Sequence, residues 1–209
     1  MANQIVAGEQ YYELDGQLWE IKRQLRQSSG YPFDAEMLKL HLQAAIEGCW
    51  AGENFFRETG DMGQRIIRIP ALARPTLEGL QSKFDWIKRI EVDTSPVEPV
   101  VLVLGTVLRV GENAINGVEY QRRRAPKIDV CLGYQQAIWL VEHQNEFPKL
   151  MALLGKIYID FPGLVVVRGD DGRYFPYLNG GGGRWRLDWD RVDNDLNSNG
   201  RIAASRKSQ

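Results

Sequence analysis

Cysteine and histidine are nearly missing from this 209-residue chain, which holds only Cys49, Cys131, His41 and His143. The two cysteines sit far apart in apolar surroundings, so they read as reduced, buried thiols of a cytoplasmic protein, with a single disulfide as the alternative. So few scattered ligands argue against a zinc site built from His and Cys. The chain also lacks an excess of either charge. Twenty-six basic residues against 27 acidic ones leave −1, and no global field draws the molecule to nucleic acid or membrane. No apolar run reaches the roughly 18 residues of a transmembrane helix. Met1–Glu9 has no basic region followed by an apolar one, so it is not read as a secretory signal. No catalytic motif stands out, and the expectation is a non-enzyme without a cofactor or a metal.

What is present concentrates in the run from Gly180 to Ser205. Arg184 to Asp190 alternates strictly, which puts Trp185, Leu187 and Trp189 on one face of a strand and Arg184, Arg186, Asp188 and Asp190 on the other. Two tryptophans and a leucine bury enough apolar area to anchor that strand on a core. Asp193 to Asn199 follows as a polar run of short side chains that bond their own backbone and favour turns. Gly200 ends it, and Arg201 to Ser205 can return as a closing strand. A rigid strand presenting a polar loop is how a binding surface is commonly built.

Along the rest of the chain, Leu14, Leu18, Ile21 and Leu25 keep helical spacing, with Asp15 as a cap for a helix to about Gln27. Asp34 caps a second helix ending at Gly48, and the pair reads as a helical hairpin. His41 falls on its apolar side as a structural histidine. Residues 49–63 read as loop, Gln64 to Pro70 as a short strand, and Thr76 to Phe84 as a short helix. Trp86 to Val92 and Val100 to Val110 are strand-like, the second buried on both faces by its Val and Leu content. Asn116-Gly117 signals a β-hairpin returning through Val118-Glu119-Tyr120 to Gln121–Arg124. Helices are expected from Gly133 to Asn145 and from Pro148 to Leu154. Strands then follow at Lys156–Asp160, Leu164–Arg168, Arg173–Leu178 and Arg184–Asp190, with turn residues between them, as in an antiparallel meander. The glycine tract Gly180 to Gly183 suits a wide hairpin loop, and residues 206–209 a frayed tail.

Other candidate sites are weaker on chemical grounds. Arg122-Arg123-Arg124 with Lys127 could contact phosphate, but neither a groove-reading helix nor a phosphate loop adjoins it, so a solvated strand end is expected. Glu142, His143 and Glu146 share a helix, yet Glu142 and His143 are adjacent and point apart, as solvent-facing charges do. Asp195, Asn197, Asn199 and Gly200 match the first half of a calcium loop. Its twelfth position is Arg206 instead of an acid, and a strand enters it in place of a helix. Asp188 and Asp190, about 7 Å apart as same-face neighbours, share their face with arginines and make a poor glycosidase pair. A Ser–His or Cys–His pairing is not evident from the spacing.

Four blocks, Leu14–Ile21, Tyr31–Asp34, Trp139–Pro148 and Gly155–Gly163, resemble a family of uncharacterised bacterial proteins that occurs in many copies in small genomes. That resemblance implies no activity. The C-terminus separately resembles the variable region of proteins diversified by retroelements, which carry a C-type-lectin-like fold. Gly182-Gly183-Arg184-Trp185 echoes the Gly-Gly-x-Trp that opens the region. Gly200 to Ala204 echoes the closing strand but lacks its phenylalanine. The resemblance implies that polar positions here vary between copies. Taken together, one α+β fold is expected: an N-terminal helical hairpin and loop (1–63), and a body (64–206) with a central β-hairpin, helices and a C-terminal antiparallel sheet. The expected ligand-binding residues are Arg184, Arg186, Asp188, Asp190, Arg191, Asp193, Asn194, Asp195, Asn197 and Ser198. The partner would be a macromolecular or cell-surface ligand; the alternative is a nucleic-acid-binding accessory protein using Arg122–Arg124, Arg184, Arg186 and nearby aromatics. A hydrolase with a hidden site is a third class, resting on scattered carboxylates alone.

Overall fold

In the computed structural model of the chain, the described residues are 9–26, 56–63, 66–124 and 130–206. Two compact units divide it, Met1–Gln43 and Ala44–Gln209. In the first, helix α1 spans Glu9–Leu25. It begins earlier than expected, and Asp15 lies inside it as an exposed residue instead of capping it. Helix-forming Glu and Gln residues ahead of Asp15 carry the turn back. Lys22 and Arg23 occupy the last turn, where cations suit the helix dipole, and Arg23 reaches back to Glu20 at 2.6 Å. The expected second helix, with His41, Cys49 and residues up to 55 of the following loop, lies outside the described residues, and within the rest of that expected loop Arg57–Glu58 forms a strand.

The second unit is built on a nine-stranded mixed sheet. Its members are β1 (Arg57–Glu58), β2 (Arg68–Ile69), β3 (Ile87–Asp93), β4 (Val100–Thr106), β6 (Tyr158–Asp160), β7 (Leu164–Arg168), β8 (Arg173–Gly181), β9 (Arg184–Arg191) and β11 (Gly200–Arg206). A second, two-stranded sheet pairs β5 (Ala114–Ile115) with β10 (Leu196–Asn197). β6 and β7 run in line, broken at Pro162-Gly163, and both pair antiparallel with β8. β8 turns back into β9, which among the described residues pairs with β8 alone.

The antiparallel expectation therefore holds for β6 to β9 but not for the closing strand. β11 enters the middle of the sheet, antiparallel to β4 and parallel to β6. Ile202, Ala203 and Ala204 are buried there, and a strand without a charged core-facing side chain can take a central position. Arg206 pairs with Val101 and so belongs to the strand, not to a frayed end.

Both faces of the sheet are covered. On one, α4 (Tyr134–His143) and α5 (Pro148–Ala152) pack Ala137, Leu140 and Leu150 against Leu104, Ile159, Leu178, Trp185 and Ala203. The N-terminus of α4 is tied by Gln136, whose side chain accepts from Gly133 N and donates to Pro96 O. On the other, Phe175 and Ile202 meet Tyr120, Ile115 and Leu196. The opposite parity of Phe175 and Leu178 along β8 separates the two cores. Helix α2 (Leu77–Gln81) forms as expected, with Thr76 accepting from Gly79 N at 3.0 Å.

The Asn116-Gly117 hairpin does not form. Gly117–Arg124 is a helix, α3, and Asn116 Oδ1 accepts from Glu119 N at 2.9 Å as its cap. Glycine is needed at 117 for closeness, not for turn geometry: a Cβ there would meet the Asp193 carbonyl oxygen at 2.0 Å. Glu119 pairs with Arg122 and Arg123 one turn on, which a strand could not arrange.

Candidate binding face

Strand β9 is held by its odd-numbered apolar residues. Trp185 is fully buried; its backbone N–H donates to Gln144 Oε1 at 2.7 Å and its Nε1 to Leu150 O at 3.1 Å. Trp189 stacks on Tyr134 at 5.8 Å and meets the edges of Phe84 and Trp86 at 5.4 and 5.5 Å. Leu187 is half-buried between the two. Gly182 and Gly183, at φ 62° and 74°, turn β8 into β9 with Gly181 opposite Arg184. Positive φ at both central residues makes this a tight two-residue turn, not the wide loop expected.

The opposite parity carries the polar residues. Arg184, Arg186 and Asp188 are exposed, and Asp190 is half-buried. Burial raises the Asp190 carboxyl above its ordinary range, against bonds from Asn194 and from Arg191 N that lower it. Arg191 is exposed and forks onto Asp193 with both contacts at 2.9 Å.

The loop that follows is not free. Val192 and Leu196 are buried while Asp193, Asn194, Asp195, Asn197 and Ser198 are exposed. Leu196 seats in the core under α3, and β10 fixes its neighbours to β5. Asp195 Oδ1 accepts from Gly117 N at 3.1 Å, and Ser198 N donates to Asn113 O at 2.8 Å. Asn197 Oδ1 accepts from Asn199 N at 2.9 Å, an Asx turn. These bonds occupy the atoms a calcium loop would aim inward, and among the described residues no cluster of three His, Cys, Asp or Glu could hold a metal ion.

The structure brings five of the expected residues together. Asp190, Asp193, Asn194, Asp195 and Asn197, with Tyr158 and Tyr177, line an open depression of about 530 Å³. Arg184, Arg186, Asp188, Arg191 and Ser198 do not line it. The two tyrosine rings meet edge to face at 6.5 Å. Sequence reasoning missed both, although the alternation in Tyr158-Ile159-Asp160 and Tyr177-Leu178-Asn179 carried the signal.

Asp160 lies on the same face, directly across from Tyr177 and two residues beyond Tyr158. It is 1% exposed; its Oδ2 accepts from Tyr120 OH at 2.6 Å, and its Oδ1 meets no hydrogen-bond donor. Burial pushes its carboxyl up to about 7, and burial takes the Tyr158 phenol up to about 12. Burial and the Asp160 charge also raise the Tyr120 phenol well above its usual range.

The basic cluster has the opposite fate from the solvated strand end expected. Only Arg122 of the three is exposed. Arg123 is buried and paired with Glu112 and Glu119. Arg124 is buried with its guanidinium 5.0 Å from the Tyr120 and Phe175 ring centres. Helical spacing turned two arginines inward where a strand would have turned one. On α4, His143 stacks on Trp139 at 4.4 Å with Nδ1 2.8 Å from Trp139 O; Glu142 on α4 and Glu146 in the 3-10 turn that follows it, not on the same helix as expected, both face solvent.

The chain matches no protein-family model, no curated protein and no solved structure.

Proposed function

We propose that this is a non-enzymatic ligand-binding protein that meets a macromolecular or cell-surface partner with the polar face of β9 and the loop after it. The observation that carries the reading is the division of β9. Trp185 is fully buried and doubly hydrogen-bonded, while Arg184, Arg186 and Asp188 stand exposed on the other side. Charged side chains on a rigid support lose little freedom on binding and give directional, charge-assisted contacts. The same division lets those residues change without touching the core, as the resemblance to retroelement-diversified proteins requires. The return of β11 to the sheet where that resemblance puts a closing strand further supports a C-type-lectin-like relationship. The nucleic-acid reading loses its main anchor, because Arg123 and Arg124 are turned inward.

A labelled full chain probed on arrays of glycans and surface proteins tests this. The charge-swapped triple variant Arg184→Glu, Arg186→Glu, Asp188→Lys loses the captured ligand and keeps its melting temperature. A ligand held equally by the triple variant overturns the proposal. A neighbouring reverse transcriptase gene, with a near-duplicate of the 3′ end differing at adenines, is the genomic expectation.

A further inference from the structure

We infer that the depression beside β9 takes an organic cation, a primary ammonium or guanidinium group, held by the Asp190 and Asp195 carboxylates against the Tyr158 and Tyr177 rings. The inference rests on the proposed reading that this face is the binding surface, and it names the chemistry of the ligand.

Among the described residues, the lining holds three aspartates, two asparagines and two tyrosines, and no lysine or arginine. Asp193 already has Arg191 as its counter-ion. Among the described residues, Asp190 and Asp195 do not: each spends only Oδ1, on Asn194 and Arg191 N in one case and on Gly117 N in the other. Their Oδ2 atoms are left as acceptors at the surface. The tyrosine rings supply what a bare acidic cluster lacks, π faces beside the carboxylates, and that combination favours a diffuse, weakly hydrated cation. The carboxylates do not converge as a metal site would require.

A second observation is independent of this lining. Asp160 lies directly across from Tyr177 and two residues beyond Tyr158 on the same sheet face, 1% exposed, with Oδ1 unmatched by any donor. A buried carboxylate short of a donor is costly. Arg124, stacked on Tyr120 and Phe175, also acts on this carboxyl and has an unmatched nitrogen of its own, Nη1. A cation arriving above the tyrosine floor adds favourable potential at Asp160 without contact. Asp160 thus adds a buried, donor-short carboxyl beneath the tyrosines to the carboxylates around the depression.

The group could arrive on a free polyamine or on the Lys and Arg side chains of a polypeptide, and calorimetric titration of the full chain separates these sources. The probes are spermidine, a decapeptide containing Arg and Lys, the same peptide with citrulline and acetyl-lysine in their place, and calcium chloride. Binding of spermidine or of the cationic peptide, at least tenfold weaker in the Asp190→Asn, Asp195→Asn variant and in Tyr177→Leu, is the expected result. Spermidine alone identifies a free polyamine, and the cationic peptide identifies a basic polypeptide. Each variant is checked for an unchanged melting temperature; Asn at both positions keeps the Oδ1 acceptor, so folding is preserved. Equal binding of the neutral peptide, binding of calcium only, or no binding overturns the inference. A ligand from the arrays that depends on Arg184, Arg186 and Asp188 but ignores Asp190 and Asp195 removes the cation and leaves the proposed function standing.

Discussion

Strand β9 and the segment Val192–Asn199 are neighbours in sequence and similar in polarity, yet they divide inside from outside by different rules. In β9 the division follows parity, with Trp185 inward and Arg184 and Arg186 outward, because one sheet face is core. In the segment after it, two residues four apart, Val192 and Leu196, are buried and everything between them is exposed. A strand can be rewritten on one side wholesale. A loop pinned by a single leucine can be rewritten only around that leucine.

The comparison is broken most easily through the strand's anchor. Trp185→Ala removes a fully buried ring and two hydrogen bonds, and should cost about 4–5 kcal/mol in urea unfolding. A loss below about 1 kcal/mol would mean the strand is not held from behind. Next comes the floor beneath both regions. With the Asp160 acid raised to about 7 in the folded state from an ordinary 3.8, the folded protein binds the proton more tightly than the unfolded chain. The charge penalty is absent below about pH 4, grows as pH rises to about 7, and is constant above. Asp160→Asn should therefore unfold at higher urea at pH 8, by about 2–4 kcal/mol, and match the parent near pH 4. The groups that act on this carboxyl are Tyr120 and Arg124 from α3 and Asp190 from β9. A difference that does not change with pH would mean the Asp160 carboxyl titrates in the fold as it does in the unfolded chain.

Leu196→Ala should cost about 2–3 kcal/mol, since the side chain is fully buried under α3. Asp195→Ala should cost about 1 kcal/mol through the bond to Gly117 N. Smallest of all, Arg186→Gln, Asp188→Asn and Asn194→Ser should each move stability by less than about 0.5 kcal/mol. Calorimetric melts of this last set test whether the outer face is as independent of the core as β9 parity implies.

Strands β6 to β9 were legible because alternation and turn residues reinforce each other there, and both tryptophans fell where the pattern put them, whereas β10 lay inside the run read as a loop. The central segment was not legible. Asn-Gly serves a hairpin and a helix cap equally well, and what decided at 117 was the approach of Asp193, a residue 76 positions away. The fate of Arg123 and Arg124 followed from that single choice. Five of the ten expected polar residues line one depression; the alternation around Tyr158 and Tyr177 gave the face of each tyrosine, but that they sit side by side there follows from β6–β8 pairing, which is not local. The insertion of β11 between β4 and β6 was hidden for the same reason.

Among the described residues β9 has one strand neighbour, and its outer rim presents a row of amide and carbonyl groups with no described strand paired to them. Such a rim is a template on which a second chain could add a strand, and charged side chains along it discourage that. Whatever set of residues this strand comes to carry, aggregation sets the limit before packing does. A copy that lost Arg184, Arg186 and Asp188 together to apolar residues would still fold, and would then stick to its own kind.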